Sequence, residues 1–344
     1  MLLALLTATL AQATCGACSA EGRAYQVYAA EARAASAEDH PENAYLFAAD
    51  VHEELATISG ERPGVVRPFR VGTSGADRPI WALRLVDPAV PARGTLLVFA
   101  NIHALEWVPT EVAVAFALDF AAAPIPGVEI VLIPSLNVDG RALVEEDLRA
   151  GRNVYRRGNA ARVDLNRDFA VNRESRAIWK ALIPGRYVVS PAPLSQPESR
   201  ALDALADAER FDAAVSLHAF GGFFYSPWAG RWERPADHAE FGRLGGLMQN
   251  AMVNHPYRPR QLSRWGFVFR GLGMELDHLY GSYGTYAFLV ETTRSGVETL
   301  ADLGSNFRIY NPRDPGPHAR EGVRYLRALA TEVASGRVQA RGAP

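Results

Sequence analysis

The chain has 344 residues, 48% of them apolar and 22% charged, and a formal net charge of -2. This composition excludes a disordered chain and suits a large α/β enzyme. The near-neutral balance, without a basic stripe or an aromatic-basic cluster, gives no sign of a nucleic-acid binder.

Residues 1–10 are almost continuously apolar, and Ala11-Gln12-Ala13 supplies an A-x-A cleavage pattern. Residues 1–13 therefore read as a signal peptide, with a secreted or periplasmic product. That run is too short to cross a bilayer, and no later stretch is long and apolar enough, so no membrane span is expected. Cys15 and Cys18 are the only cysteines. Outside a strand-helix context their C-x-x-C reads as a small local disulfide rather than a redox pair. Residues 14–42 form an Ala-, Glu- and Arg-rich helical segment with no room for a folded pro-domain, so activation by removing one is not expected.

An amphipathic helix is predicted over residues 43–59, with Leu46, Val51 and Leu55 on one face. Two strands follow, at 65–71 and 80–86, around the turn 73–77. A buried strand at 94–100 leads to a helix over 109–120 and then a strand at 128–133. Val138-Asp139-Gly140 reads as a turn into an Arg-rich loop. Ser195, with Glu198 three residues on, reads as a capping box opening a helix over 195–208. Strands at 212–217 and 286–291 and helices at 240–253 and 317–334 complete the pattern, before a tail at 336–344. The alternation, without linker or repeat, predicts one α/β catalytic domain over 43–335. Its sheet should be mixed, mostly parallel and twisted, with about eight strands and helices on both faces.

His103 and Glu106 form an H-x-x-E at a strand-to-helix corner, and His218 ends another predicted strand. In open α/β sheets ligands collect at the carboxyl ends of strands. Two histidines and a carboxylate are the three protein ligands of a catalytic zinc, which keeps its fourth position open. A lone H-x-x-E is common by chance, and a surface ion pair with an unrelated core histidine is the bland alternative.

Four further stretches stand around that pair: Asn137-Val138-Asp139-Gly140, Asn166-Arg167, Ser216-Leu217-His218, and Glu291 after Phe288-Leu289-Val290. In this order the five resemble the marks of the carboxypeptidase A-type zinc metallocarboxypeptidases, over roughly 43–335. The resemblance implies that His103, Glu106 and His218 bind Zn²⁺ and that Glu291 is the general base and then the general acid. It implies that Asn166 and Arg167 hold the free C-terminal carboxylate of a peptide. Arg156 best matches the arginine that steadies the oxyanion, with Arg157 not excluded by spacing. The chemistry is consistent: zinc lowers the pKa of bound water, and a nearby carboxylate takes its proton as it attacks a carbonyl.

The chain also departs from that pattern. Leu105 stands where the family often has a peptide-binding arginine, and His278 where a tryptophan is usual. The family's mobile capping tyrosine falls on Phe269, which keeps the ring without the hydroxyl. Leu276 falls where the C-terminal side chain is selected, which implies an uncharged, apolar preference. His278 reads as a packed histidine rather than an extra ligand. Phe223, Phe224, Tyr225 and Trp228 read equally as groove lining or a buried plug. The expected protein is a monomeric zinc hydrolase that removes C-terminal residues from peptides. The alternatives are a relative acting on N-acyl amino acids or cell-wall peptides, and a non-catalytic peptide-binding module.

Overall fold

The computed structural model describes residues 17–36, 42, 44–175, 179–182, 188–266 and 269–341. The expected signal peptide and Cys15 lie outside the described residues, whereas Cys18 is held in a disulfide. Among the described residues eight strands form one mixed sheet: β1 (Val66–Thr73), β2 (Pro79–Val86), β3 (Gly94–Ala100), β4 (Val128–Ile133), β5 (Ala213–His218), β6 (Phe223–Ser226), β7 (Arg258–Gln261) and β8 (Tyr286–Glu291). Their order across the sheet is β1-β2-β4-β3-β5-β8-β6-β7. The central strands β4, β3, β5 and β8 run parallel. The β1–β2 hairpin joins β4 antiparallel on one side, and β6, itself antiparallel to β8, carries the parallel edge strand β7 on the other. The helices are α1 (Ala20–Ala35), α2 (Ala48–Glu61), α3 (Val108–Ala122), α4 (Val138–Arg149), α5 (Pro197–Glu209), α6 (His238–Ala251), α7 (Glu275–Tyr283) and α8 (Gly316–Ala334), with a single turn at Trp179–Leu182.

Strand alternation sorts the core into two faces. Leu96, Val98 and Ala100 of β3 and Val215 and Leu217 of β5 enter the larger core, which the helices cover through Tyr25, Leu55, Phe116, Leu244 and Tyr325. Leu97, Phe99 and Ala214 face the other way, onto Leu202 and Ala206 of α5 and Leu279 of α7. Burial on both faces is why these strands read as unbroken apolar runs, and each fully buried large side chain contributes roughly 1.5–3 kcal/mol. The expected architecture, a mixed sheet between helical layers, is the one observed. No helix among the described residues is long and apolar enough to cross a membrane.

Several local expectations are corrected. α4 begins where a turn was expected, because the Gly140 N–H donates to Asn137 Oδ1 at 3.0 Å and so starts a helix rather than a loop. α2 begins at Ala48, five residues late, where the Phe47 N–H donates to Asp50 Oδ2 at 2.9 Å. Ser195 does not cap α5: its hydroxyl donates to Asp168 Oδ1 at 2.7 Å, and the helix starts at Pro197 behind Gln196. Proline's fixed φ suits that first position. Glu198 is buried and accepts from Asn159 Nδ2 at 3.2 Å. β6, β7 and α7 were not foreseen.

Candidate active site

The site is built on sheet register. Ala100 pairs with Leu217 across β3 and β5, and His218 pairs with Glu291 across β5 and β8. Three neighbouring parallel strands therefore end level, with His218 and Glu291 side by side. Beyond β3 the chain turns at Asn101, whose φ of 56° lies in the left-handed region that asparagine tolerates. Asn101 Nδ2 donates to the carbonyls of His103 and Glu106, both at 3.0 Å. Asn137 Nδ2 donates to Ile102 O at 3.1 Å, and Asn311 Nδ2 to Leu105 O at 2.7 Å. Three buried asparagines thus hold the loop that carries H-x-x-E. Gly140 has no alternative here, since a Cβ would lie 2.6 Å from Asn137 Oδ1 and 2.8 Å from Ala104 Cβ.

His103, Glu106 and His218 are brought together, all buried, as the one group able to hold a metal ion among the described residues. His103 Nδ1 lies 2.8 Å from Glu106 Oε1 and 3.1 Å from His218 Nδ1, which in turn is 3.1 Å from Glu106 Oε2. Two imidazole nitrogens and a carboxylate converging at this spacing suit the edges of a tetrahedron around an ion bonded at about 2.0–2.2 Å. Burial would raise the Glu106 carboxyl, but His103 and His218 outweigh it and hold it well below the usual range. Burial would lower His218, but Glu106 and Glu275 push it up to about 10. Both directions mark a place where positive charge is favoured. Glu291, close by, is pushed up by burial and by the Glu106 charge, and its Oε2 is buried without a partner.

The two candidate arginines have different partners. Arg156 is paired with Asp147, Nη2 reaching Oδ1 at 3.1 Å, and no contact joins it to the ligand cluster. Arg157 instead donates from Nε to Asp164 Oδ2 at 2.8 Å and approaches Glu106 Oε1 at 3.5 Å. Asp164 also meets His103 Nε2 at 3.1 Å. Burial would raise Asp164, yet Arg157 and His103 hold its carboxyl well below the usual range. A cavity of about 550 Å³, lined by Tyr155, Arg156, Arg157, Arg162 and Asp164, opens alongside.

Asn166 is fully buried, and its Nδ2 donor has no partner. Beside it Arg167 donates from Nη1 to Asn166 O at 2.6 Å, and burial lowers its pKa. An unmet donor next to a desolvated guanidinium is chemistry that suits an anion such as a carboxylate. Leu276 is buried with Tyr225, Met274 and Leu289 in a small apolar cluster that Phe269 packs against. Leu105 is buried in the larger core and carries no charge or hydrogen-bonding side chain. Alternation along β6 divides the aromatic cluster: Phe224 enters the larger core, whereas Phe223 and Tyr225 stack 5.0 Å apart on the Leu276 side. His278 bonds Asp203 Oδ1 at 2.7 Å and packs against Phe169 and Tyr283.

A family model described as zinc carboxypeptidase matches residues 51–301. The chain belongs to the zinc carboxypeptidase family. It is a metallocarboxypeptidase, a zinc-dependent hydrolase. Human carboxypeptidase O is 21% identical over 269 residues, covering 73% of this chain and 68% of its own. Pig carboxypeptidase A1 is 22% identical over 291 residues, covering 79% and 68%. The carboxypeptidase A of Helicoverpa armigera superimposes with a TM-score of 0.66 at 17% identity, covering 89% of this chain and 78% of that one. Bovine thrombin-activatable fibrinolysis inhibitor does so with 0.66 at 18%, covering 86% and 99%.

In this carboxypeptidase, Asn101, Asn311, Asp164 and Glu275 escaped the sequence reading. Asp164 alone carried a local signal, lying two residues before the Asn166-Arg167 pair. Asn311 is remote in sequence from every motif, and only the fold brings it to the loop.

Proposed function

We propose that His103, Glu106 and His218 hold the zinc ion, and that Glu291 serves as general base and then general acid in releasing a C-terminal residue from a peptide. The observation that supports this reading is the level ending of β3, β5 and β8, with His103, Glu106 and His218 converging and Glu291 in register beside His218. When bound, zinc supplies Lewis acidity, polarising the scissile carbonyl and acidifying water. Glu291, desolvated and so more basic than a surface carboxylate, takes the proton from the attacking water and passes it to the leaving amine. Asn166 and Arg167 orient the substrate by its terminal carboxylate. Arg157, in place of Arg156, donates to the oxygen that gains negative charge. The apolar cluster around Leu276 and Phe269 supports an uncharged C-terminal side chain. Residues 43–335 form the proposed catalytic domain. The apolar run and cleavage pattern of residues 1–13 support export.

Leu105, sealed in the core, leaves the upstream peptide with one grip fewer and supports short substrates, including N-acyl amino acids or cell-wall peptides. A peptide series of varied length and C-terminal residue, each free and amidated, tests the reading. Amidation is expected to abolish cleavage; equal cleavage of both forms would remove the roles of Asn166 and Arg167.

A further inference from the structure

The two histidines have outer nitrogens as well as inner ones, and both meet carboxylates. His103 Nε2 lies 3.1 Å from Asp164 Oδ1, and His218 Nε2 lies 3.1 Å from Glu275 Oε1. Glu275 opens α7 and is 0% exposed. A carboxylate at that depth is costly unless its charge is partnered. Two things compensate it: His218, and its place in the first turn of α7, where the helix end carries partial positive charge. Its own N–H donates to Asn166 Oδ1 at 3.2 Å, which fixes the start of the helix against the substrate side of the site. Ser216 Oγ stands 2.9 Å from the same His218 Nε2 and adds a second polar neighbour.

We propose that Glu275 is a positioning residue for the metal site. It accepts the N–H at His218 Nε2, which places the lone pair of the ring on Nδ1, the atom facing His103 Nδ1 and Glu106. Asp164, a quarter exposed, stands in the same relation to His103, whereas Glu275 is fully enclosed behind His218. This rests on the proposed assignment of His218 as a ligand. Outer partners of this kind set the tautomer and raise ligand basicity, and losing one commonly costs 10- to 100-fold in metal affinity. Glu275 Oε2 has no partner, and a contact with a cationic C-terminal side chain is the competing use of this residue.

The test uses the full chain, with zinc affinity measured by competition against a chromophoric chelator and ligand geometry by the visible spectrum of the cobalt-substituted protein. Glu275→Gln should weaken zinc binding roughly 10- to 100-fold and alter the cobalt spectrum. The metal-free variant should melt where the metal-free parent does, and kcat/KM ratios among peptides ending in Lys, Phe and Glu should stay those of the parent. Unchanged affinity and spectrum overturn the proposal, as does a loss confined to peptides ending in Lys. His218→Ala separates the two layers: if it leaves zinc affinity intact, the ligand assignment itself fails. Should Glu275→Gln not fold, Glu275→Ala is measured with the same expected and overturning results.

Discussion

The two sides of the cleft are built in different ways. The proposed zinc ligands and Glu291 stand at or just beyond the ends of adjacent parallel strands, with loop carbonyls tied down by Asn101, Asn137 and Asn311. Arg157, Asn166 and Arg167 lie instead on the stretch between α4 and α5, where regular structure among the described residues is limited to short turns. There the side chains hold one another, through Arg157–Asp164 and Asn159–Gln196 contacts, rather than through a ladder. Sheet register fixes the reacting groups tightly because β3, β5 and β8 are each locked by two neighbours. A loop fixes its groups through side-chain pairs, which can be exchanged without disturbing the core, so substrate recognition is the easier half to vary.

The largest expected effect tests the strand side. Glu291→Gln keeps the shape and removes the proton acceptor, so kcat should fall about 10²- to 10⁴-fold with KM and zinc content near those of the parent. Turnover at the parental rate would show that the proton is handled elsewhere. Next comes the loop side. Arg157→Met should lower kcat about 10²- to 10³-fold. Arg156→Met should leave kcat near the parental value, because Arg156 is occupied by Asp147. Steady-state kinetics of both variants on one peptide decide the matter, and the reverse ranking returns the oxyanion role to Arg156. Arg167→Met should cost roughly 10- to 100-fold in kcat/KM on free peptides and shrink the difference between free and amidated ones.

The last test lies outside both sides and measures the fold alone. His52 is buried under the β1–β2 end, with its Nδ1 2.9 Å from the Tyr25 hydroxyl. Burial, with Arg141 nearby, pushes it down to about 4. The unfolded chain takes up a proton near pH 6.5 while the folded one resists, so this stability is complete above 6.5 and is lost as pH falls towards 4. The loss is roughly 3 kcal/mol at most. Denaturant unfolding between pH 8 and pH 4 should show that slope in the parent and a shallower one in His52→Gln; equal slopes would assign the acid sensitivity to other groups.

The central strands were legible because burial on both faces writes a continuous apolar run, as in Leu96-Leu97-Val98-Phe99. β6 and β7 were not, since each spans only four residues and draws its pairing from strands far away in sequence. α4 was hidden by Gly140 and by a charged surface face, although Arg141 is buried, with its guanidinium 3.5 Å from the centre of the Trp107 ring. Ser195 looked like a cap because local spacing cannot register Asp168 competing for the hydroxyl.

The same division runs through the site. By itself the sequence offered the candidates His103, Glu106, His218 and Glu291, through strand-end positions that follow from local apolar runs and through the family resemblance that gave them roles. Only the tertiary structure decided which of two adjacent arginines turns inward. Side-chain direction on an irregular loop depends on distant partners: Asp147 draws Arg156 away, and Asp164 draws Arg157 in. Only the tertiary structure, too, placed Glu275 behind His218, since the fold must pack the start of α7 against the end of β5 before that buried carboxylate has a partner.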